Sequence, residues 1–368
     1  MNNSFWKALE YAREGMFVPA ELTNEMLDKV SGDKVLVLYS FEMLPLLHLR
    51  GYTDVVLMTD DPKKYIKNLV DKYGYEAMTM KELQMTMEED MKFDLIIGNP
   101  PFQNPNSNSS SGKLWGKFVE FAFESVVEGG NVAMITPNSW TKGEVSPQGN
   151  GKLLKLLSGN NTLYVNNRDC GKHFPNVGVT FSYFITQKGN NSGPATLVQN
   201  GVESKFDMST CRFIPKNLEV IDLVHKFFSH EAFDNTLITN TRNHHIDFSS
   251  RGKTEVVTNG KLKKAKSTQY DEDPKVTIPW ANTFDKVMYG EFVAGDSNLV
   301  FPCEKNQMEN LIGVLTSKLY QFCNDQLRMA HHNEAARMFP AVDINRSWTD
   351  EELYAHFGLT EEEIAYVE

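Results

Sequence analysis

The chain has 368 residues, of which 41% are hydrophobic and 23% charged. This length exceeds the ~100–200 residues of one ordinary domain, and no apolar run approaches the ~18 residues of a membrane span, so we expect a large domain with a second module and exclude membrane insertion. The segment before Phe17 lacks the apolar core of a secretory signal, and the four cysteines form no Cys-x-x-Cys pair. These features predict a reducing, cytoplasmic setting and argue against a structural zinc.

The net charge of −11 argues against a nucleic acid partner, but the charge is unevenly distributed. Residues 350–368 contain seven acids and no lysine or arginine, whereas residues 251–266 contain six basic residues and one acid, a local charge of +5. The basic segment is compatible with a DNA or RNA backbone, although a charge run is more often a solvated loop. Its candidate phosphate contacts are Lys261, Lys263, Lys264 and Lys266.

The first half of the chain alternates apolar, β-rich runs with amphipathic stretches, a pattern typical of βαβ units around a parallel sheet. We therefore expect an α/β fold with a doubly wound, mostly parallel sheet. The predicted helices are 21–30, 44–50, 62–72 and 114–127, and the predicted strands are 35–39, 54–59, 93–97, 132–136, 163–166 and 178–186.

The pattern changes near residue 190, where Gly, Asn and Ser cluster and the alternation stops. We place a domain boundary between residues 192 and 193, with a second domain over 193–340 and an acidic helical segment over 341–368. Within the second domain, 195–299 is expected to be irregular with short β pieces, and 304–329 to be helical. The polar stretch 104–112 predicts a mobile loop, of the kind that often grips substrates.

The most informative stretch is 94–102, in which an apolar strand runs into Gly98, Asn99, Pro100, Pro101 and Phe102. In open α/β sheets, ligands bind at the carboxyl ends of the strands. The two prolines restrict the backbone, so Asn99 and the Pro100 carbonyl can present acceptors to an exocyclic amine. Phe102 offers a flat face for a base removed from its stack. The alternative is an ordinary turn with Phe102 in the core.

This stretch resembles the (Asp/Asn/Ser)-Pro-Pro-(Tyr/Phe) motif of amino-group DNA methyltransferases, in the Asn-Pro-Pro-Phe form typical of gamma-type N6-adenine enzymes. The resemblance implies a sheet of the S-adenosylmethionine-dependent methyltransferase type, a target-recognition domain, double-stranded DNA as partner and no metal. It implies that Asn99 and Pro100 bind the amino group of a flipped adenine that stacks on Phe102. It also implies a restriction-modification or phage enzyme in a bacterial or phage-infected bacterial cell.

Other segments are similar to the same family at matching positions. Residues 15–22 resemble the Phe-x-Thr-Pro motif that covers the cofactor, with Phe17 and Pro19 present and Val18 in place of threonine. Asp60 and Asp61 stand where an acid would bind the ribose. Residues 129–137 match the strand after the catalytic helix, 173–177 resemble the motif that brings Phe174 against the target base, and 339–368 resemble the family's C-terminal ending.

One departure affects the cofactor site. The family's first strand normally ends in an acidic, glycine-rich loop, whereas here the strand continues into Ser40-Phe41-Glu42 with no glycine before Gly51. Either Tyr39, Ser40 and Glu42 bind the cofactor in another way, or cofactor binding is weak or lost. The glycine-free loop leaves open a catalytically inactive DNA-binding or anti-restriction decoy protein. An amino-group methyltransferase acting on RNA or protein also fits the Asn-Pro-Pro-Phe motif.

Overall fold

The computed structural model describes residues 17–59, 64–87, 91–102, 114–145, 151–174, 180–238, 242–328 and 332–368. The chain divides into two compact units, one built from Met1–Gly143 and Gln148–Cys211 and the other from Glu144–Pro147 and Arg212–Glu368. Asp60, Asp61 and the polar stretch 104–112 lie outside the described residues. Among the described residues, no helix is both long and apolar enough to cross a membrane.

The first unit contains a nine-stranded sheet in the order β3-β2-β1-β4-β5-β7-β6-β8-β9. Only β7 and β9 run against the direction of the other strands. The strands are β1 Lys34–Leu38, β2 Asp54–Met58, β3 Glu76–Met78, β4 Phe93–Gly98, β5 Val126–Pro137, β6 Asn161–Asn167, β7 Phe181–Gln187, β8 Ala195–Gln199 and β9 Val202–Phe206. The predicted doubly wound, mostly parallel sheet is confirmed.

Both faces of the central strands are buried, which explains their continuous apolar sequences. In β1, Val35 and Val37 pack in one core cluster with Leu22 and Leu44 from neighbouring helices, and Leu36, on the opposite face, is also fully buried. The helices of this unit are α1 Ala20–Leu27, α2 Leu44–Leu49, α3 Lys64–Tyr73, α4 Met80–Met87, α5 Trp115–Ser125 and α6 Gly151–Ser158. The sequence patterns did not identify β3, α4 or α6.

The division between the units falls between Cys211 and Arg212, later than the boundary expected at 192/193. The reason is that β8 pairs in parallel with β6, with Tyr164 opposite Thr196, and β9 then pairs with β8. The Gly/Asn/Ser cluster near residue 190 is therefore a connection within one sheet, not a linker between domains.

Residues 195–299 contain the expected short β pieces, but these are ordered into sheets rather than irregular, and β8 and β9 belong to the first unit. The second unit is regular. It contains two four-stranded sheets, in the orders β10-β17-β14-β15 and β11-β13-β12-β16. Their strands are β10 Thr236–Ile238, β11 Ile246–Phe248, β12 Thr254–Thr258, β13 Lys261–Thr268, β14 Pro274–Pro279, β15 Met288–Glu291, β16 Val293–Ala294 and β17 Asn298–Pro302. The predicted helix over 304–329 is two helices separated at Thr316 and Ser317.

The acidic C-terminal segment belongs to the core of this unit. Leu353, Tyr354 and Phe357 are buried in one cluster with residues of the β14 and β17 strands. Its two short helices each begin with a capping box, in which Thr349 and Thr360 serve as the N-caps. The helices of the second unit are α7 Ile221–Phe227, α8 Met308–Leu315, α9 Lys318–Leu327, α10 Asp350–His356 and α11 Glu361–Val367.

Candidate active site at the carboxyl edge of the first sheet

The strand order reverses between β1 and β4, because β2 and β3 follow on one side and β5 on the other. Such a switch point opens a crevice at the carboxyl ends of the two strands. At the end of β4, a Cβ atom on Gly98 would lie 2.4 Å from the carbonyl oxygen of Leu38 in β1. Glycine at this position therefore lets the two strands meet closely at the crevice.

Asn99 is fixed by a hydrogen bond across the switch point. Its backbone N–H donates to the Oγ of Ser40 over 2.9 Å, and the Ser40 hydroxyl donates to the Leu38 carbonyl over 3.3 Å. Ser40 is fully buried and Asn99 is 3% exposed. Pro100 and Pro101 are buried as well. The loops after β1 and β4 are thus joined by hydrogen bonds, which hold the backbone of the motif at Asn99.

The loop after β1 makes its turn without glycine. Tyr39 adopts φ +61°, the left-handed conformation that glycine normally supplies, and its ring is buried edge-on against Phe118 at 5.3 Å between ring centroids. A residue with a side chain loses on the order of 1–3 kcal/mol in this conformation, so the surrounding packing must hold it there. A short 3-10 helix, Phe41–Met43, follows at once.

The N-terminal segment covers this loop. The Val18 N–H donates to Glu42 Oε1 over 3.0 Å, and the rings of Phe17 and Phe41 meet edge-on at 5.6 Å between centroids. Phe17 remains 52% exposed, and Pro19 is the N-cap residue of α1. The structure thus brings together Phe17, Val18, Ser40, Glu42 and Asn99. The Ser40 and Glu42 side chains, expected to face a cofactor, are already engaged in hydrogen bonds within the protein.

The two aromatic residues of the sequence motifs contact a third aromatic ring, Phe181, which no sequence pattern indicated. Phe102 and Phe174 both pack against Phe181, with centroids 5.3 and 4.9 Å from it. Phe102 is half-buried, while Phe174 is 4% exposed and belongs to the core cluster. Phe102 therefore keeps part of its surface exposed, and Phe174 supports it through Phe181.

A row of buried amides continues along the same edge of the sheet. The Nδ2 of Asn138, after β5, donates to Asn167 Oδ1 over 3.4 Å, and Asn167, at the end of β6, donates to Gln199 at the end of β8. Each of these residues directly follows or ends an apolar strand, which is the sequence signal that could have identified them. They hold the ends of three strands in one polar network.

Burial removes one candidate nucleophile from this edge. Desolvation raises the pKa of the Cys170 thiol to about 12, so this cysteine is protonated at neutral pH. Among the described residues, no group of three or more His, Cys, Asp or Glu side chains could hold a metal ion. What the edge presents is therefore a set of positioned amide and carbonyl groups with an aromatic face.

In the second unit, the four candidate lysines lie on β13, which pairs with β12 in an antiparallel hairpin. All four side chains are exposed. Successive side chains of a strand point to opposite faces, so Lys261 and Lys263 share the face of the buried Ala265, while Lys264 lies on the other; Lys266 lies at an irregularity in the pairing with β11. The ammonium of Lys263 lies 5.1 Å from the Phe248 ring centroid on the first face. The basic segment is an ordered ribbon rather than a solvated loop.

The sheet order and the crevice define the first unit as an α/β fold of the methyltransferase type. Residues 40–164 match the sequence model of the Eco57I restriction-modification methylases. The resemblance to restriction-modification methylases is therefore confirmed over this segment, which includes the loop after β1 and Asn99. No curated protein matches the chain.

Three solved structures show remote similarity, with TM-scores below 0.5. A type I restriction-modification methyltransferase subunit from Streptococcus thermophilus is 15% identical, with 58% of this chain and 53% of that chain covered and a TM-score of 0.37. A protein from Listeria monocytogenes, described as a class I S-adenosylmethionine-dependent methyltransferase, is 13% identical, with 51% of this chain and 67% of that chain covered and a TM-score of 0.38. The type IIL enzyme MmeI, solved with DNA, is 11% identical, with coverages of 84% and 61% and a TM-score of 0.45. The chain thus spans about half to two thirds of these proteins.

Proposed function

We propose that the protein is a DNA adenine N6-methyltransferase that transfers a methyl group from S-adenosylmethionine to a flipped adenine. The observation that carries this proposal is the Asn99 N–H to Ser40 hydrogen bond at the switch point, inside the segment that matches the methylase family. It fixes the Asn-Pro-Pro-Phe motif against the loop where a cofactor would bind.

The residues beside the switch point fit S-adenosylmethionine. The cofactor carries a sulfonium cation, and Glu42 supplies a half-buried carboxylate in the loop after β1, next to the apolar pair Phe17 and Phe41. Phe17 and Pro19 would cover the cofactor, and Tyr39, Ser40 and Glu42 would line the bottom of its site. Asp60 or Asp61 would bind the ribose. When bound, the cofactor supplies a methyl group activated for transfer to a nitrogen.

The chain's own residues would orient the acceptor base. The Asn99 side-chain oxygen and the Pro100 carbonyl accept hydrogen bonds from the adenine amino group, which directs its nitrogen lone pair away from the protein acceptors. Phe102 stacks on the base and excludes water from one of its faces. Catalysis then rests on positioning and on fixed dipoles, which reorganise little during the reaction.

DNA binding would rest on the lysine ribbon of the second unit, the proposed target-recognition domain. Exposed lysines neutralise phosphates and release counterions, which supplies affinity without sequence preference. Flipping one adenine costs a few kcal/mol, and stacking on Phe102 offsets part of that cost.

A second candidate is a decoy that keeps the fold without methyl transfer, because Ser40 and Glu42 are already hydrogen-bonded within the protein. The experiment that separates the two incubates the protein with radiolabelled S-adenosylmethionine and duplex DNA, RNA or protein. We expect label in DNA, on the N6 of adenine. Label in RNA or protein alone would contradict the DNA assignment, and no calorimetric binding of S-adenosylmethionine, with or without DNA, would favour the decoy.

A further inference from the structure

Arg168 directly follows β6, at the same edge of the sheet as Asn99. Because β5 and β6 are both antiparallel to β7, their carboxyl ends lie together. Along this edge β6 stands three strands from β4, on the side away from β1. At about 4.8 Å per strand, this places the end of β6 roughly 14 Å from that of β4.

The backbone of Arg168 is held in a conformation that arginine rarely adopts. Its φ is +80°, in the left-handed region. The Arg168 N–H donates to the Phe181 carbonyl over 3.0 Å, and the Gly171 N–H donates to the Arg168 carbonyl over 2.8 Å. Strained residues persist only where neighbouring contacts determine them, and they concentrate at functional sites.

The residues on either side reinforce this conformation. Asn167 is part of the buried amide row, and the Asp169 carboxylate accepts the N–H groups of Asn200 and, over 2.8 Å, Gly201. Asp169 is thereby engaged in anchoring the β8–β9 turn. The chain thus fixes the backbone of Arg168 from both sides, and none of the described residues binds its side chain.

The Arg168 guanidinium is half-buried, and no acceptor within the described part of the chain binds its buried Nε–H. It forms no ion pair with any described carboxylate. Desolvation lowers the pKa of this group from its ordinary value, as expected for a cation withdrawn from water without a compensating anion. A half-buried arginine in this state is suited to an anionic ligand that arrives from outside the chain.

We infer that Arg168 binds a backbone phosphate of the substrate strand beside the target nucleotide. This inference rests on the proposed function. Phosphate fits because the guanidinium fork binds its oxygens in pairs and remains charged at neutral pH. The carboxylate of the cofactor is a poorer fit, because the cofactor crevice lies at β1 and β4 whereas Arg168 lies at β6.

The test compares Arg168→Gln with Lys172→Gln, which removes the same charge from an exposed side chain in the 3-10 helix Asp169–His173. We expect Arg168→Gln to lower kcat/KM for duplex DNA at least tenfold and to reduce the salt slope of DNA binding by about one unit. Calorimetric affinity for S-adenosylmethionine should not change, and Lys172→Gln should resemble the wild type.

Arg168→Gly separates binding from folding, because glycine accepts the left-handed conformation without strain. This variant should be at least as stable as the wild type and as defective in DNA binding as Arg168→Gln. Wild-type DNA affinity in Arg168→Gly would overturn the inference, and selective loss of S-adenosylmethionine affinity would assign Arg168 to the cofactor instead.

Duplexes with one uncharged methylphosphonate linkage near the target adenine identify the phosphate. One linkage should weaken binding by the wild type and have no further effect on Arg168→Gly. If every linkage weakened DNA binding equally in the wild type and in Arg168→Gly, the inference would be overturned. The proposed methyl transfer to DNA would not be affected by that result. Absence of methyl transfer to DNA by the wild type would instead count against the proposed function itself.

Discussion

Asn99 depends on a hydroxyl that lies 59 positions earlier in the chain. Ser40 accepts the Asn99 N–H and donates to Leu38, so the loop after β1 and the loop after β4 share one hydrogen-bond path. A buried N–H that loses its acceptor costs about 1–3 kcal/mol. The chemistry proposed for Asn99 therefore depends on the geometry of a neighbouring loop as well as on its own side chain.

Asn99→Ala should abolish methyl transfer while fold and DNA affinity persist, because the change removes an acceptor for the base rather than a phosphate contact. The matched control is Asn131→Ala, because Asn131 is also a buried asparagine but lies on β5. Its side chain donates to the Ser31 carbonyl, away from the carboxyl edge of the sheet. Single-turnover methylation measures the effect. Activity of Asn99→Ala within about tenfold of the wild type, ~1.4 kcal/mol in barrier, would remove Asn99 from its assigned role.

Glu42 should affect the affinity for S-adenosylmethionine in two ways: by holding the N-terminal segment in place and by its negative charge. Glu42→Ala removes the acceptor of the Val18 N–H and loosens the cover formed by Phe17, whereas Glu42→Gln keeps an acceptor and removes only the charge. We expect calorimetric affinity for S-adenosylmethionine to fall at least tenfold in Glu42→Ala and by a smaller factor in Glu42→Gln. Equal affinity in all three proteins would reject this location for the cofactor.

At the residue scale, a short sequence motif singles out Asn99 and Pro100 as candidates, but the motif could not reveal the contacts that support them. Phe181 is a common residue type at an unremarkable position, and Ser40 was expected to face a cofactor rather than to support Asn99. Their roles arise from contacts between distant strands, which no local pattern encodes. Tyr39 illustrates the same limit, since its left-handed conformation is imposed by its surroundings.

At the element scale, the β12–β13 hairpin presents cations on both faces. Lys261 and Lys263 lie on the side of Ala265 and Phe248, and Lys264 lies on the side of Leu262. The sequence left this segment without a predicted strand, because nearly every position of β13 is exposed and the alternation of polar and apolar residues is lost. Pairing with β12, which supplies Val256 and Val257, orders it instead.

The two lysine pairs allow a matched experiment on this element. We expect Lys261→Gln/Lys263→Gln and Lys264→Gln/Lys266→Gln each to weaken DNA binding for many sequences alike and to reduce the salt slope by up to about two units. Fluorescence anisotropy at several salt concentrations measures both quantities. An unchanged slope in both double variants would leave the ribbon without a role in phosphate binding.

At the scale of the whole molecule, each unit has its own hydrophobic core, and the acidic C-terminal segment completes the second. Sequence patterns predicted the first unit well, since buried parallel strands read as continuous apolar runs. They predicted the second unit poorly, because its short antiparallel strands combine residues from distant parts of the chain. The segment 341–368 is acidic, yet Leu353, Tyr354 and Phe357 are buried in the core of the second unit.

Leu353→Ala tests whether the C-terminal segment stabilises the second unit. Leu353 is fully buried, and leucine-to-alanine changes in cores cost about 2–5 kcal/mol in free energy of unfolding. The control is Leu262→Ala, whose side chain is 49% exposed and whose change should stay within about 0.5 kcal/mol. Denaturant unfolding compares the two. Similar midpoints for both variants would show that the segment contributes little.

His225 should make the stability of the second unit depend on pH. Burial lowers the pKa of its imidazole below the ordinary value of 6.5, with a smaller opposing effect from the Phe213 carbonyl. Below pH 6.5 the unfolded chain takes up a proton that the folded protein resists, so stability present above this pH declines as the pH falls through it. His225→Gln should flatten the decline in unfolding midpoint between about pH 7 and pH 5, whereas the exposed His244→Gln should not. Identical pH profiles in all three proteins would contradict this.

The lysine side chains on both faces of the β12–β13 hairpin also bear on how the protein would bind double-stranded DNA. A flat basic surface presents its cations in one direction and rests against one row of phosphates, but a ribbon with lysines on both faces suits a space between two rows. The major groove of B-DNA admits a two-stranded ribbon of this width, with a sugar–phosphate wall on either side. A hairpin inserted there would place the exposed Leu262 side chain, flanked by lysines, within reach of base edges.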